Sequence, residues 1–284
     1  MKLKFFVFSV LLFVALATNG QNLMNPRDAV RILNQAGVVI IDCNPVDEFA
    51  RTHITNAVNI WHGDLYRTTG VSDMLRTPEE IARILGTRGI SHTNTILLYD
   101  AGHQRFSGRM YWILRYLGAR DVRIINGGLA EWQRNRLPVG RTPRRVTATT
   151  FQPTVNAALA ADIQRVRRAS TEGTAVLLDV RSQGEFRGTE GSATRKGYIP
   201  GSINLPHTQV LNENGTLKTA DELRAIFTNA GITPNKEVIM YCASSIRAGI
   251  VFFALRNILN YPNVRVYDGA FNEWEANTAN PVRR

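Results

Sequence analysis

The sequence predicts an α/β protein of two tandem domains, each a parallel sheet with helices on both faces. Two patterns carry this. Short β-branched runs such as Val38-Val39-Ile40-Ile41 and Val238-Ile239-Met240-Tyr241 alternate with helical segments, which is how parallel sheets under helical layers read. The second half also repeats the first. Val39-Ile40-Ile41-Asp42 matches Val176-Leu177-Leu178-Asp179 at an offset of 137 (179 − 42), and His53 to Ile60 matches Tyr198 to Leu205 at 145. Ile96 to Asp100 matches Val238 to Cys242 at 142, as Trp132 matches Trp274. A repeat this long makes each half one folding unit, and the jump from 137 to 145 places an extra loop at Gly188 to Lys196.

In chain order, residues 1–20 read as a signal peptide. Lys2 and Lys4 precede an apolar run, Phe5 to Leu16, and small residues follow at Ala15-Leu16-Ala17 and Thr18-Asn19-Gly20. The run is too short to span a bilayer comfortably, so cleavage after Ala17 or Gly20 and a periplasmic or secreted product are expected, with no membrane attachment afterwards. Residues 21–140 form the first domain and 159–284 the second. Between them, 141–158 is a linker whose Pro143, Pro153 and threonines predict an extended strap. Helices are expected at Pro78 to Leu85 and Thr219 to Phe227, with Thr77 and Thr219 as caps and acids in the first turn.

The net charge of +11 is spread evenly. Residues 21–140 hold 14 basic and 11 acidic groups, 159–284 hold 15 and 12, and the linker adds three arginines. No basic face or nucleic-acid motif stands out, so nucleic acid is not an expected partner, while a mild positive field suits small anions. The five histidines show no metal-ligand spacing, and no metal or cofactor is expected. The two cysteines, Cys43 and Cys242, lie in different halves and make no disulfide framework; Cys43 reads as a buried filler.

Cys242 reads differently. It ends an apolar strand and opens Cys242-Ala243-Ser244-Ser245-Ile246-Arg247-Ala248-Gly249, a small-residue loop leading into the helical run Ile250 to Leu255. Carboxyl ends of parallel strands are where such sheets place ligands. Successive backbone N–H groups there form an anion cradle, and the same field lowers a cysteine pKa to roughly 4–7. A reactive thiolate is therefore expected at Cys242 rather than a structural thiol.

This loop resembles the active-site loop of the rhodanese (thiosulfate sulfurtransferase) family. Leu178 to Phe186 is similar to the family's D-x-R block, Gly197 to Pro206 to its G-[HY]-I-x-G-[AS]-x-N-x-P block, and Tyr267 to Trp274 to its closing G-[GS]-x-x-x-W block. The resemblance implies two tandem rhodanese-like domains, the first silent because Asp100 stands where the second has Cys242. A carboxylate cannot carry a persulfide sulfur.

The implied chemistry is a double displacement. The Cys242 thiolate takes sulfur from an anionic donor, thiosulfate above others, and a thiol or cyanide acceptor removes it. Backbone N–H groups of Ala243, Ser244, Ser245, Ile246 and Arg247 would hold the anionic sulfur. Arg181, from the D-x-R block, is expected to clamp the donor's oxyanion, the alternative being a salt bridge to Glu185. Arg247 is expected to brace the loop or touch substrate, and Arg195 and Lys196 to reach the mouth or stay solvated. Three other readings remain: a 3-mercaptopyruvate sulfurtransferase, whose usual C-G-S-G pattern is missing here; a persulfide carrier without turnover; and a Cdc25-like phosphatase. The last is disfavoured because Cys242 to Arg247 spans C-x4-R instead of C-x5-R. The protein is expected to act as a monomer.

Overall fold

The structure is a computed structural model that describes residues 22–284. The expected signal peptide, residues 1–20, and its expected cleavage points lie outside the described residues. Among the described residues twelve strands follow in order: β1 (Leu23–Met24), β2 (Val38–Asp42), β3 (His53–Ile54), β4 (Val58–Asn59), β5 (Thr95–Tyr99), β6 (Asp121–Ile125), β7 (Val139–Gly140), β8 (Ala160–Ala161), β9 (Val176–Asp179), β10 (Ser202–Asn204), β11 (Val238–Tyr241) and β12 (Val264–Tyr267). Ten of them build two parallel five-stranded sheets, in the orders β1-β6-β5-β2-β4 and β8-β12-β11-β9-β10. These are the same order in each half. The remaining two, β3 and β7, pair antiparallel.

Side-chain alternation along each strand explains why both faces are covered. Ile96 and Leu98 of β5 join one core with Val238 and Met240 of β11, whereas Leu97 and Tyr99 face a second core and Ile239 and Tyr241 a third. The first core is shared between the halves. Its centre is the crossing of the helix Arg105–Tyr116 with the helix Ala248–Phe253, where Gly108 and Gly249 bring the two backbones into contact. A Cβ on either glycine would strike the other helix's main chain, so glycine is required at both.

The repeat extends to hydrogen bonds. The Tyr99 hydroxyl accepts from Ile54 N at 3.0 Å, and the Tyr241 hydroxyl from Ile199 N at 3.3 Å. The Trp132 and Trp274 indoles each donate to a proline carbonyl at 2.9 Å, that of Pro138 and of Pro281. Thr77 and Thr219 both close a full capping box, as their sequence predicts. Residues 141–156 hold no helix and, after β7, no strand. They run as a strap against the first half, with Thr149 N bonded to Gly86 O at 2.9 Å, Thr154 N to Leu117 O at 2.9 Å, and Phe151 buried.

Candidate active site

β11 is buried along its whole length, and Cys242 follows at its carboxyl end with 1% of its surface exposed. The loop is tied to the segment after β12: Cys242 O accepts from Phe271 N and Ala243 O from Asn272 N, both at 3.0 Å. Ser245 turns the chain in the left-handed region (φ 58°), and its hydroxyl donates to the Tyr267 carbonyl. That hydroxyl is committed to the turn, leaving Ser245 only its N–H for a ligand. Among the described residues, the N–H groups of Ala243 to Arg247 have no backbone acceptor.

The silent half shows what such a loop does with an anion at its strand end. The Asp100 carboxylate accepts from Gly102 N, Gln104 N and Phe106 N at 3.0 Å, Ser107 N at 3.1 Å and Ser107 Oγ at 3.2 Å. Asp100 is a loop anchor: its carboxylate accepts all five of these hydrogen bonds, and His103 beside it is exposed. This loop is one residue longer than its counterpart, since Asp100 to Gly108 spans 8 steps and Cys242 to Gly249 spans 7. It is also capped. Gln104 Nε2 donates to Gly215 O at 2.6 Å, where the hairpin Leu211 to Leu217 of the second half packs against Gly102. The first half sends its own hairpin, Tyr66 to Leu75, the other way: Leu75 N reaches Asp268 Oδ2 at 3.1 Å and Ser72 Oγ meets Asn272 Nδ2 at 3.3 Å.

Arg247 forks onto Glu185, Nη1 to Oε2 at 2.6 Å and Nη2 to Oε1 at 2.8 Å. Glu185 is itself fixed by the capping box of the helix Gln183–Arg187, accepting from Ser182 N at 3.1 Å. Burial would raise the Glu185 pKa, but the Arg247 hydrogen bonds and charge outweigh it and bring it down to about 2. Burial likewise opposes the Arg247 charge, which is held up by the Glu185 hydrogen bonds and by the nearby Cys242 sulfur. Arg247 thus joins a fixed carboxylate to the loop that carries the cysteine.

Arg181 departs from both expectations. Its partner is Asp179, not Glu185: Nε meets both carboxylate oxygens at 3.0 Å and Nη2 meets Oδ2 at 2.6 Å, with Nη2 also on Gly197 O at 2.7 Å. The guanidinium lies 4.0 Å from the Phe271 ring centre and the residue is 2% exposed. Two of its three nitrogens are occupied by protein, so its fork is not open to clamp an oxyanion. Asp179 also accepts from Arg181 N at 3.0 Å, which anchors the strand-end loop. Arg195 does not reach the mouth either. It pins the inserted loop to Glu275, Asn277 and Asn280.

Lys196 does reach it. With Arg181, Glu185, Ala243, Phe271 and Asn272 it lines a pit of about 20 Å³ beside the loop. A wider approach of about 700 Å³ shares Ser192, Ala193 and Asn272 with the pit and is walled on its far side by Gly70 to Asp73. Cys43 is free and fully buried, and burial pushes its thiol pKa up, which keeps it protonated and inert.

Sequence reasoning missed His207, which falls at the 145 offset from His62. Burial and then the charges of Arg247 and Arg105 bring it down to about 4, so it is a neutral imidazole beside the loop. The repeat was the signal that could have found it.

The sequence profile of the rhodanese-like domain matches residues 25–135 and again 162–277. A 3-mercaptopyruvate sulfurtransferase of Escherichia coli is 35% identical over 245 residues, covering 85% of this chain and 86% of that protein. A putative thiosulfate sulfurtransferase of Mycobacterium tuberculosis is 30% identical, covering 82% and 87%. A sulfur carrier protein of Thermus thermophilus is 32% identical, covering 78% and 82%. The crystal structure of the Escherichia coli 3-mercaptopyruvate enzyme superposes with a TM-score of 0.82 at 32% identity, over 88% of this chain and 98% of that one.

Proposed function

Starting from a chain that belongs to the rhodanese-like domain family, we propose that it is a sulfurtransferase working through a persulfide on Cys242, with thiosulfate as donor and a thiol or cyanide as acceptor. The Cys242 thiolate attacks the donor's outer sulfur. A new S–S bond forms, the donor's own S–S bond breaks, and sulfite leaves with the electron pair. The acceptor then attacks the outer persulfide sulfur and restores the thiolate. The observation that carries this is Cys242 at the end of a buried strand, on a loop whose N–H groups have no backbone acceptor among the described residues and whose Arg247 is held by Glu185. In the silent half the same groups already hold a carboxylate. They would hold the thiolate and persulfide here.

Thiosulfate is favoured by the small pit, and Lys196 supplies positive charge at its rim. Mercaptopyruvate is the second reading, favoured by the 35% identity to the Escherichia coli enzyme. Export to the periplasm or outside the cell, and action as a monomer, complete the proposal. Intact-mass measurement after thiosulfate treatment tests it. One added sulfur is expected on the wild type and none on Cys242→Ser; sulfur on Cys43 would overturn it. Steady-state kcat/KM with each donor, cyanide as acceptor, then decides between thiosulfate and mercaptopyruvate.

A further inference from the structure

On the side of the helix crossing away from Cys242, the last turns of the two crossed helices enclose a cavity of about 470 Å³. The repeat places equivalent arginines in its wall. Arg115 and Arg256 differ by 141, the same offset as the crossing glycines Gly108 and Gly249. Each spends Nη1 on two main-chain carbonyls just past its helix, Arg115 on those of Ala119 and Arg120 and Arg256 on those of Tyr261 and Pro262. Nε and Nη2 of both stay without a protein acceptor among the described residues. Arg120 adds a third guanidinium to the lining, and no carboxylate lines the cavity. Asp121, which feels Arg115, is already paired with Arg123 at 2.6 Å.

Tyr111 lines the same cavity as the two arginines. It is 2% exposed, with the Arg115 and Arg256 charges and the side-chain amides of Asn257 and Asn22 acting on its hydroxyl. Among the described residues no protein hydrogen bond engages the Tyr111 hydroxyl, so its O–H is a donor for a ligand in the cavity. Asn257 Oδ1 is buried with no partner. Asn257 and Arg256 lie on a π-helical turn, Ala254–Ile258, a deviation that often marks functional positions. Three guanidiniums and a phenol around one polar cavity, with no carboxylate in its lining, make a positive potential that favours an anion.

We propose that this cavity between the two halves is a second anion site, distinct from the Cys242 loop, and that it takes a compact multivalent anion, a polyphosphate or a polycarboxylate. Pyrophosphate and citrate are the probes. Each is titrated calorimetrically, at matched ionic strength, into protein alkylated at Cys242 so that the catalytic loop is blocked. One saturable site per chain is expected for at least one probe, and which one binds identifies phosphate or carboxylate as the preferred group. Tyr111→Phe, which keeps the ring in the core, and Arg256→Lys, which keeps the charge, should each weaken binding about tenfold, the loss of one charge-assisted hydrogen bond. An Arg115→Gln/Arg256→Gln protein should lose binding, and its unchanged circular dichroism would show that folding is not the cause. Absence of saturable binding by either probe would overturn the proposal. So would binding that Tyr111→Phe and Arg256→Lys leave untouched, or binding that alkylation of Cys242 abolishes.

Discussion

Arg247 and Glu185 meet side-on through two hydrogen bonds, 2.6 and 2.8 Å, across 62 residues of sequence. The pair joins the loop that carries Cys242 to the short helix that follows Arg181. The guanidinium on the cysteine's own loop therefore cannot swing away without breaking both bonds.

Glu185→Gln should release Arg247 and lower kcat/KM by about ten- to hundredfold, equivalent to about 1.5–3 kcal/mol for a charge-assisted pair. Steady-state assays check this, with the persulfide mass shift as the readout that the cysteine still reacts. The pH dependence follows from the depressed pKa. Because folding lowers Glu185 to about 2, its stabilisation is fully present above the unfolded value near 4.5 and is lost only as pH falls toward 2. Loss of activity between pH 7 and pH 5 therefore cannot come from this carboxylate, and the Glu185→Gln profile should be parallel to the wild type there.

The two halves are locked by Arg109, fully buried, and Asp268, at 2.5 Å. Asp268 also accepts from Leu75 N of the first half's hairpin. Asp268→Ala leaves a buried guanidinium without its counter-charge and should cost about 3–5 kcal/mol in denaturant unfolding. Arg109→Met with Asp268→Leu should recover much of it, since a buried pair is replaceable by apolar volume. Equal destabilisation by the single and double variants would show that Arg109 does not depend on Asp268.

Much of this molecule was legible in its sequence because duplication printed everything twice. The two parallel-sheet halves, both threonine caps and the Asp100 substitution follow from the repeat and from the run of residues around each position. What was not legible depends on which of several nearby partners a long side chain chooses. Arg181 had Asp179 two residues back and Glu185 four ahead, and only the burial of Asp179 at the sheet's end decides for it. Glu185 was then left to Arg247, a choice with no local signal. The exchange of hairpins between halves is equally invisible, because it depends on how the Gly108–Gly249 crossing orients the two sheets.

Asp42 is the first half's equivalent of Asp179, but Asn44 stands where Arg181 would balance it. Burial pushes Asp42 up to about 6, hydrogen bonds from Tyr99 and Asn44 offsetting only part of that. A raised folded-state pKa means that the native protein binds the extra proton, so this residue's contribution to stability falls as pH rises from about 4 to 6. The displacement of about two units sets a ceiling of about 3 kcal/mol. Asp42→Asn keeps the acceptor for Asn44 N and removes the buried charge. It should be the more stable protein at pH 7 and equal to the wild type near pH 4, by urea unfolding at both. A variant less stable at pH 7 would mean that the ionised carboxylate is needed.

The last prediction separates two cations that a sequence reading groups together. Arg181 is buried with its fork on Asp179 and Gly197, whereas Lys196 stands half-buried at the rim of the pit. Arg181→Lys replaces a planar fork by a point charge and cannot serve both partners. It should lower thermal stability, and activity should fall mainly in kcat as the D-x-R loop loosens. Lys196→Gln should leave stability within about 0.5 kcal/mol, as surface changes do. Its effect should be on KM for thiosulfate, raised several-fold at low salt. That increase should shrink as added salt screens the rim charge, with a Debye length of about 10 Å at 0.1 M. The same KM effect in Arg181→Lys without loss of stability would show that Arg181 meets the donor directly and that its contact with Asp179 gives way when substrate binds.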